Sequence, residues 1–344
     1  MRRDFDGNTL SFKIANIEDS TFPAVDFRAP DADITMRPRS NYARHLLLGI
    51  NVFGLEMFKQ FRTDLGLYKA NPMLRNPEKT VPGLDHAIGE AVKIATTRTA
   101  TVTIGGLEKT ASVIHANVTV SNMAGHGLPS GVSFRRAFLH FEVLDASGNV
   151  LWQSGNTDAN GVIVDGAGAP LVTEFFTPTQ QQFQPHFWLD NPITRQDQVQ
   201  IYEELSVNPE GQLTTSFLAL DRKVKENRLQ PKGHSPVGPN ADELAPVGIC
   251  TPGGTVCDPN YADGSGSNTV SYVVALNATT AAVASVRATL FYQAVPPYYL
   301  QQRATDATGT DTDRLQFYRR NLQVKGTAIE NWKLRIASTA QALP

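Results

Sequence analysis

After Thr96 the chain becomes a succession of short runs rich in β-branched and aromatic residues, each closed by a turn. Such residues suit a pleated, half-buried surface, and no helix tolerates so many turn signals so closely spaced. The runs are Thr101–Ile104, Ser112–Val120 and Ala137–Leu144, followed by Val199–Leu205, Leu213–Leu218, Val270–Leu276 and Ala282–Gln293. Between Leu144 and Val150, the turn Asp145-Ala146-Ser147-Gly148-Asn149 signals a hairpin. Many short strands of this kind predict an antiparallel β-sandwich.

Helical periodicity flanks the strands. Leu46, Leu47, Ile50, Phe53, Leu55, Met57, Phe58 and Phe61 predict one amphipathic helix from an Asn41 cap to about Gly66, with His45 in its first turn. Leu84–Ala95 predicts a second, with Asp85 at its start. Residues 311–340 read as helical through Leu315, Phe317, Tyr318 and Leu322, then Ile329, Trp332, Leu334 and Ile336. Residues 1–40 read as irregular. The expected class is therefore mainly β with flanking helices (α+β). It divides into a lead-in with two helices (1–96), a β-sandwich (97–310) and a helical C-terminal segment (311–344).

One connection stands apart. Asn122-Met123-Ala124-Gly125-His126-Gly127-Leu128-Pro129-Ser130-Gly131 joins two strands and leads to Arg135 and Arg136. Glycines reach backbone angles that a β-carbon forbids, and Pro129 fixes its own φ. A loop so constrained holds an imidazole in one place, which suits either a metal or cofactor contact or a simple bond to a nearby carbonyl. Successive strand residues face opposite ways, so one of Arg135 and Arg136 is expected to point inward or toward an interface and the other to water.

Composition narrows the functions. With 344 residues, 41% hydrophobic and 19% charged, the chain matches an ordinary globular protein. A net charge of -2 argues against a general nucleic-acid binder. No apolar run approaches the roughly 20 residues that cross a bilayer. The start, Met1-Arg2-Arg3-Asp4-Phe5, lacks the apolar stretch of a secretion signal, leaving a cytoplasmic protein, a removed signal or a fragment as alternatives. The long connection from Asp221 to Asn268 contains both cysteines, in Cys250-Thr251-Pro252-Gly253-Gly254-Thr255-Val256-Cys257. The Pro-Gly-Gly centre lets the chain fold back, so a small-loop disulfide is expected, with two free thiols as the alternative. A disulfide implies an oxidising compartment.

Other candidates are weaker. Asn156, Asp158, Asn160 and Gly161 match the first half of a calcium loop, but Ala167 stands where its bidentate carboxylate belongs. Asp258, Asp263 and Asn268 form a second oxygen-rich group. His115 and His140 fall in strand patterns; His86, His186 and His234 carry no functional signal. Glu203 and Glu204 are adjacent on a strand and so make a poor acid/base pair. No nucleophile elbow, phosphate loop or zinc-protease helix occurs, so nothing points to an enzyme. Phe187, Trp188, Tyr298 and Tyr299, if exposed, would suit an alternative: a secreted β-sandwich module that binds or scaffolds a protein or glycan.

Five segments, taken in order, resemble the carboxy-terminal, haem-free region of multihaem c-type cytochromes. They are Arg44–Phe53, Gly125–Gly131 running on through Arg135-Arg136-Ala137-Phe138, Val199–Glu203, Lys225–Gly233 and Leu290–Pro297. The resemblance implies an exported (periplasmic or extracellular) electron-transfer protein rather than a catalyst. Its β-domain would cover haem c and supply distal ligands. On that reading His45 and His126 would reach haem iron, and Arg135 and Arg136 would meet haem propionates, with ion pairs to acidic residues of the same domain as the alternative. Covalent attachment requires Cys-x-x-Cys-His, which neither Cys250 nor Cys257 provides. The haem must therefore belong to another segment or to a cytochrome subunit, and a redox partner protein is expected beside it. The irregular opening favours a haem portion upstream over a stand-alone relative.

Overall fold

A computed structural model describes residues 11–17, 34–40, 49–67, 73–75, 80–177, 179–237, 241–251, 254–277, 280 and 282–343. The elements follow in chain order: β1 (Ser11–Ile17), β2 (Ile34–Ser40), α1 (Val52–Gln60), β3 (Met73–Arg75), β4 (Thr80–Pro82) and α2 (Gly83–Arg98). Next come β5 (Ala100–Lys109), β6 (Val113–Asn122), β7 (Arg136–Asp145), β8 (Val150–Ser154), β9 (Ile201–Val207), β10 (Leu213–Thr214) and β11 (Arg222–Glu226). The chain ends with β12 (Ser267–Ala275), β13 (Val283–Gln293), α3 (Pro297–Asp306), α4 (Thr310–Asn321) and β14 (Leu334–Ala342).

Two antiparallel sheets form the sandwich. The larger runs β10-β9-β7-β13-β14, with β11 also on β9 and β8 also on β7; the smaller is β12-β6-β5. Burial along β6 alternates residue by residue. Ile114, Ala116, Val118 and Val120 thus face the other sheet, as a period of two requires. Across the interface, Phe141 of β7 stacks on Tyr272 of β12 with ring centroids 4.0 Å apart. Each fully buried aliphatic or aromatic side chain here contributes about 1.5–3 kcal/mol.

Strand β7 is different, because both of its faces are buried. Its second face meets the irregular stretch between β8 and β9, where Ile163, Leu171 and Val199 pack with Phe138 and Ile201. Aspartates hold that stretch in tight turns. Asp158 Oδ1 accepts from the backbone N–H of Asn160 and Val162, and Asp165 Oδ1 from Ala167 and Ala169. The calcium-like segment is therefore a polar turn. Asp145 does the same for the β7–β8 hairpin through Ser147 and Asn149.

Several sequence expectations need correction. The opening is not irregular throughout, since β1 and β2 pair over their full lengths. Helix α1 begins at Val52, not after Asn41; its cap is Asn51, whose Oδ1 accepts from Gly54 N at 2.9 Å. His45 falls in 41–48, outside the described residues. The run after Leu213 leaves the sheet at Thr214 and makes a single helical turn at Phe217–Ala219. The run 311–340 is not helical throughout, because β14 pairs with β13 and completes the larger sheet. Just before β14, Asn331 and Trp332 both adopt positive φ (54° and 60°), which stops any helix there. Helix α3 was not anticipated. The disulfide joins Cys250 and Cys257 as expected.

Candidate functional site

The His126 loop is fixed from beneath. At the end of β6 the buried Asn122 donates through Nδ2 to the carbonyls of His126 (2.7 Å), Leu229 (3.1 Å) and Gln230 (3.2 Å). Its Oδ1 accepts from Ala124 N at 2.8 Å. Leu128 and Leu229 exchange backbone hydrogen bonds, both 2.9 Å. One buried amide thus ties the loop to the segment after β11.

Gly131 closes the loop at φ +92°. Its missing β-carbon makes room for the Arg135 guanidinium, which lies against it. Arg135 Nη1 donates to Ser130 O at 3.1 Å. The same guanidinium neighbours Tyr292, whose hydroxyl is pushed up to about 12 by burial, with Arg135 pulling the other way. Arg135 therefore acts as the floor of the loop.

His126 itself is exposed, and its ring makes no hydrogen bond or ion pair with another described residue. It borders a groove of about 270 Å³ whose other wall is Lys223, Glu226 and Arg228, with Leu244 at the rim. Glu226 lies directly opposite Glu204 in the β11–β9 register. Like charges so placed repel unless bridged. Arg228 bridges them: its Nη2 meets Glu204 Oε2 at 2.5 Å and also Glu226 Oε2. Burial and the neighbouring Glu226 raise the Glu204 carboxyl. Burial also works upward on Glu226, but Arg228 and Lys223 outweigh it, and that carboxyl lies below its ordinary range.

Arg136 is the inward-facing one. It is 2% exposed. Its Nη1 and Nη2 grip the Glu174 carboxylate at 3.0 and 2.6 Å, and its Nε donates to Gln293 Oε1 at 2.7 Å. Burial pushes the Glu174 carboxyl up while Arg136 holds it down. The guanidinium has no face left for a propionate, which removes Arg136 from the expected cofactor contacts. The structure therefore brings His126 and Arg135 together and sets Arg136 apart in the core.

The most elaborate polar cluster was not anticipated. His186 is buried, with Nε2 2.9 Å from Asp258 Oδ2. Its Nδ1 faces the amide nitrogens of Gln200 (3.0 Å) and Asn227 (3.1 Å). Because amide nitrogens can only donate, Nδ1 accepts, and the ring hydrogen sits on Nε2 toward Asp258. Asn268 donates to the same Asp258 oxygen at 2.6 Å and accepts from Tyr202 at 2.8 Å. The ring stacks on Trp188 at 5.6 Å. Burial lowers the His186 pKa, with Asp258 opposing. All polar capacity of the ring is used internally, so the cluster locks the core. Asp263 instead caps its own turn through Ser265 N.

Of the aromatic residues that would suit a binding module, Phe187, Trp188 and Tyr298 are buried, and the half-buried Tyr299 stacks on Phe134 at 3.8 Å. Among the described residues, no group of three or more His, Cys, Asp or Glu side chains could hold a metal, and no helix is long and apolar enough to cross a membrane.

No family model matches the chain. No curated protein matches it either. Among solved structures, a penta-heme cytochrome c552 from Thermochromatium tepidum is similar over 75% of this chain and 43% of that protein, with 16% identity and a TM-score of 0.40. The chain thus spans less than half of that protein's length.

Proposed function

We propose that this chain is the haem-covering β-domain of an electron-transfer assembly, with His126 offered as an axial ligand to haem iron carried on another segment or subunit. The observation that carries the reading is the contrast between an exposed, unpartnered imidazole and a loop whose backbone is tied down at Ala124, His126 and Leu128. A neutral imidazole suits iron, and a fixed loop gives the ring a defined direction without help from the metal. The ordered resemblance of five segments to multihaem c-type cytochromes supplies the identity of the group. Haem iron, when bound, supplies the one-electron couple.

This chain's residues do the rest. Asn122 and Arg135 orient the loop, Leu244 gives an apolar contact, and the half-free Lys223 is a cation for a propionate. The sandwich behind them excludes water from one side. His45 is a second proposed ligand. We place the assembly in the periplasm or outside the cell, where the Cys250–Cys257 bridge persists.

The test is a titration of the full chain with a haem peptide that carries one histidine ligand and an open distal position. The expected result is a low-spin, bis-imidazole absorption spectrum that His126→Ala weakens, that His126→Ala with His45→Ala abolishes, and that His115→Ala leaves intact. Equal titration of His126→Ala and the parent chain would refute His126 as the ligand.

A further inference from the structure

Independently of haem, we infer that the groove beside α4 binds an organic oxyanion, a carboxylate or a phosphate, carried on an apolar body. The groove holds about 490 Å³, within the range of small-molecule sites. Arg319 and Arg320 of α4 line one side, Pro297 and Leu300 of α3 another, and Trp332 the base. No carboxylate is among its lining residues.

The two arginines are the first reason. Elsewhere in the described residues, Arg136, Arg228, Arg287 and Arg303 each meet an acid within 2.8 Å, whereas Arg62, Arg98, Arg222 and Arg335 stand singly without one. Arg319 and Arg320 make no ion pair or hydrogen bond with a described residue. A helix C-terminus favours cations, which accounts for arginines in the last turn of α4. It does not account for two of them bordering one groove without an acid. The planar guanidinium fork matches carboxylate and phosphate oxygens.

The base of the groove is the second reason. Trp332 sits at φ +60°, a left-handed conformation that is a genuine outlier for so bulky a residue. Three contacts hold it there: its indole N–H donates to Val295 O at 2.9 Å, its carbonyl accepts from Gln293, and its ring packs on Phe53 at 4.8 Å. Gly161 permits the arrangement, because a β-carbon there would lie 2.6 Å from Trp332 Cβ. Strain maintained by so many partners marks a surface shaped for contact. An apolar body would rest on Trp332, Leu300 and Pro297, with its oxyanion at the arginines.

Anilinonaphthalene sulfonate is the probe, and phenylnaphthylamine its uncharged counterpart. Fluorescence titration of the full chain should show that Arg319→Ala with Arg320→Ala weakens the sulfonate about tenfold or more and changes the amine by less than about twofold. Phe217→Ser with Leu218→Ser, which removes the exposed apolar knuckle elsewhere, should leave the arginine-dependent binding unchanged. Displacement of the probe by decanoate or by decyl phosphate decides between the two oxyanions. Unchanged affinity in the double arginine variant, equal loss for both probes, or displacement by neither competitor would overturn the inference.

Discussion

His126 and His186 both occupy irregular connections with a neighbouring Gly or Pro, yet the fold treats them oppositely. Around His126 every bond goes to the backbone and the ring is left out. Around His186 the ring itself is clasped by Asp258, Gln200 and Asn227. Loop composition does not decide what an imidazole does; the partners that arrive from elsewhere in the chain do. One histidine remains available for external chemistry, while the other is consumed in holding the sandwich together.

The sharpest way to break this comparison is to remove each ring. His186→Ala strands a buried Asp258 and opens a cavity, so urea unfolding should show a loss of about 3–5 kcal/mol. Gly131→Ala comes next: it forces a β-carbon into a left-handed site against the Arg135 guanidinium, and about 1–3 kcal/mol should be lost, with the His126 loop displaced. A pH series follows. Because the folded pKa of His186 is depressed, the unfolded chain binds the extra proton. Stability is therefore complete above pH 6.5 and falls as pH drops from there toward the folded value. His140, also lowered by burial, adds to the same slope. Unfolding midpoints between pH 7 and 5 should decline, and His140→Gln should reduce the slope without abolishing it. The smallest effect belongs to His126→Ala, expected within about 0.5 kcal/mol of the parent. A large loss there would erase the contrast.

The sandwich was legible because its signal is local. Alternation in β6 and the Asp145 turn each lie within a few residues, and a period of two admits one orientation. The C-terminal strand was missed for a related reason. Ile329, Trp332 and Ile336 fit a helical spacing, and only the left-handed pair Asn331–Trp332, invisible in composition, converts the remainder to the alternation of Leu334 and Ile336. At the other end, the apolar residues from Leu46 suggested continuity into α1, whereas Asn51 caps it afresh.

The site was half legible. Glycine and proline announced the His126 loop; one of the two arginines does turn inward, but Arg135 precedes β7 and packs on Gly131 instead of facing water as strand alternation would require. The His186 cluster gave no comparable sign. Its partners Gln200, Asn227, Asp258 and Asn268 come from four separated segments, and each alone looks like an ordinary polar residue. Glu174 likewise lies far from Arg136 in sequence and meets it only through the long excursion between β8 and β9.

Asp258 directly follows Cys257, and its backbone N–H bonds Ile249 O at 3.0 Å beside Cys250. The staple at the surface is thus one peptide bond away from the carboxylate that holds the buried His186 ring. A thiol reductant acting from solvent would loosen a latch in the interior, and the chain would carry into its own centre a record of whether it had matured under oxidising conditions.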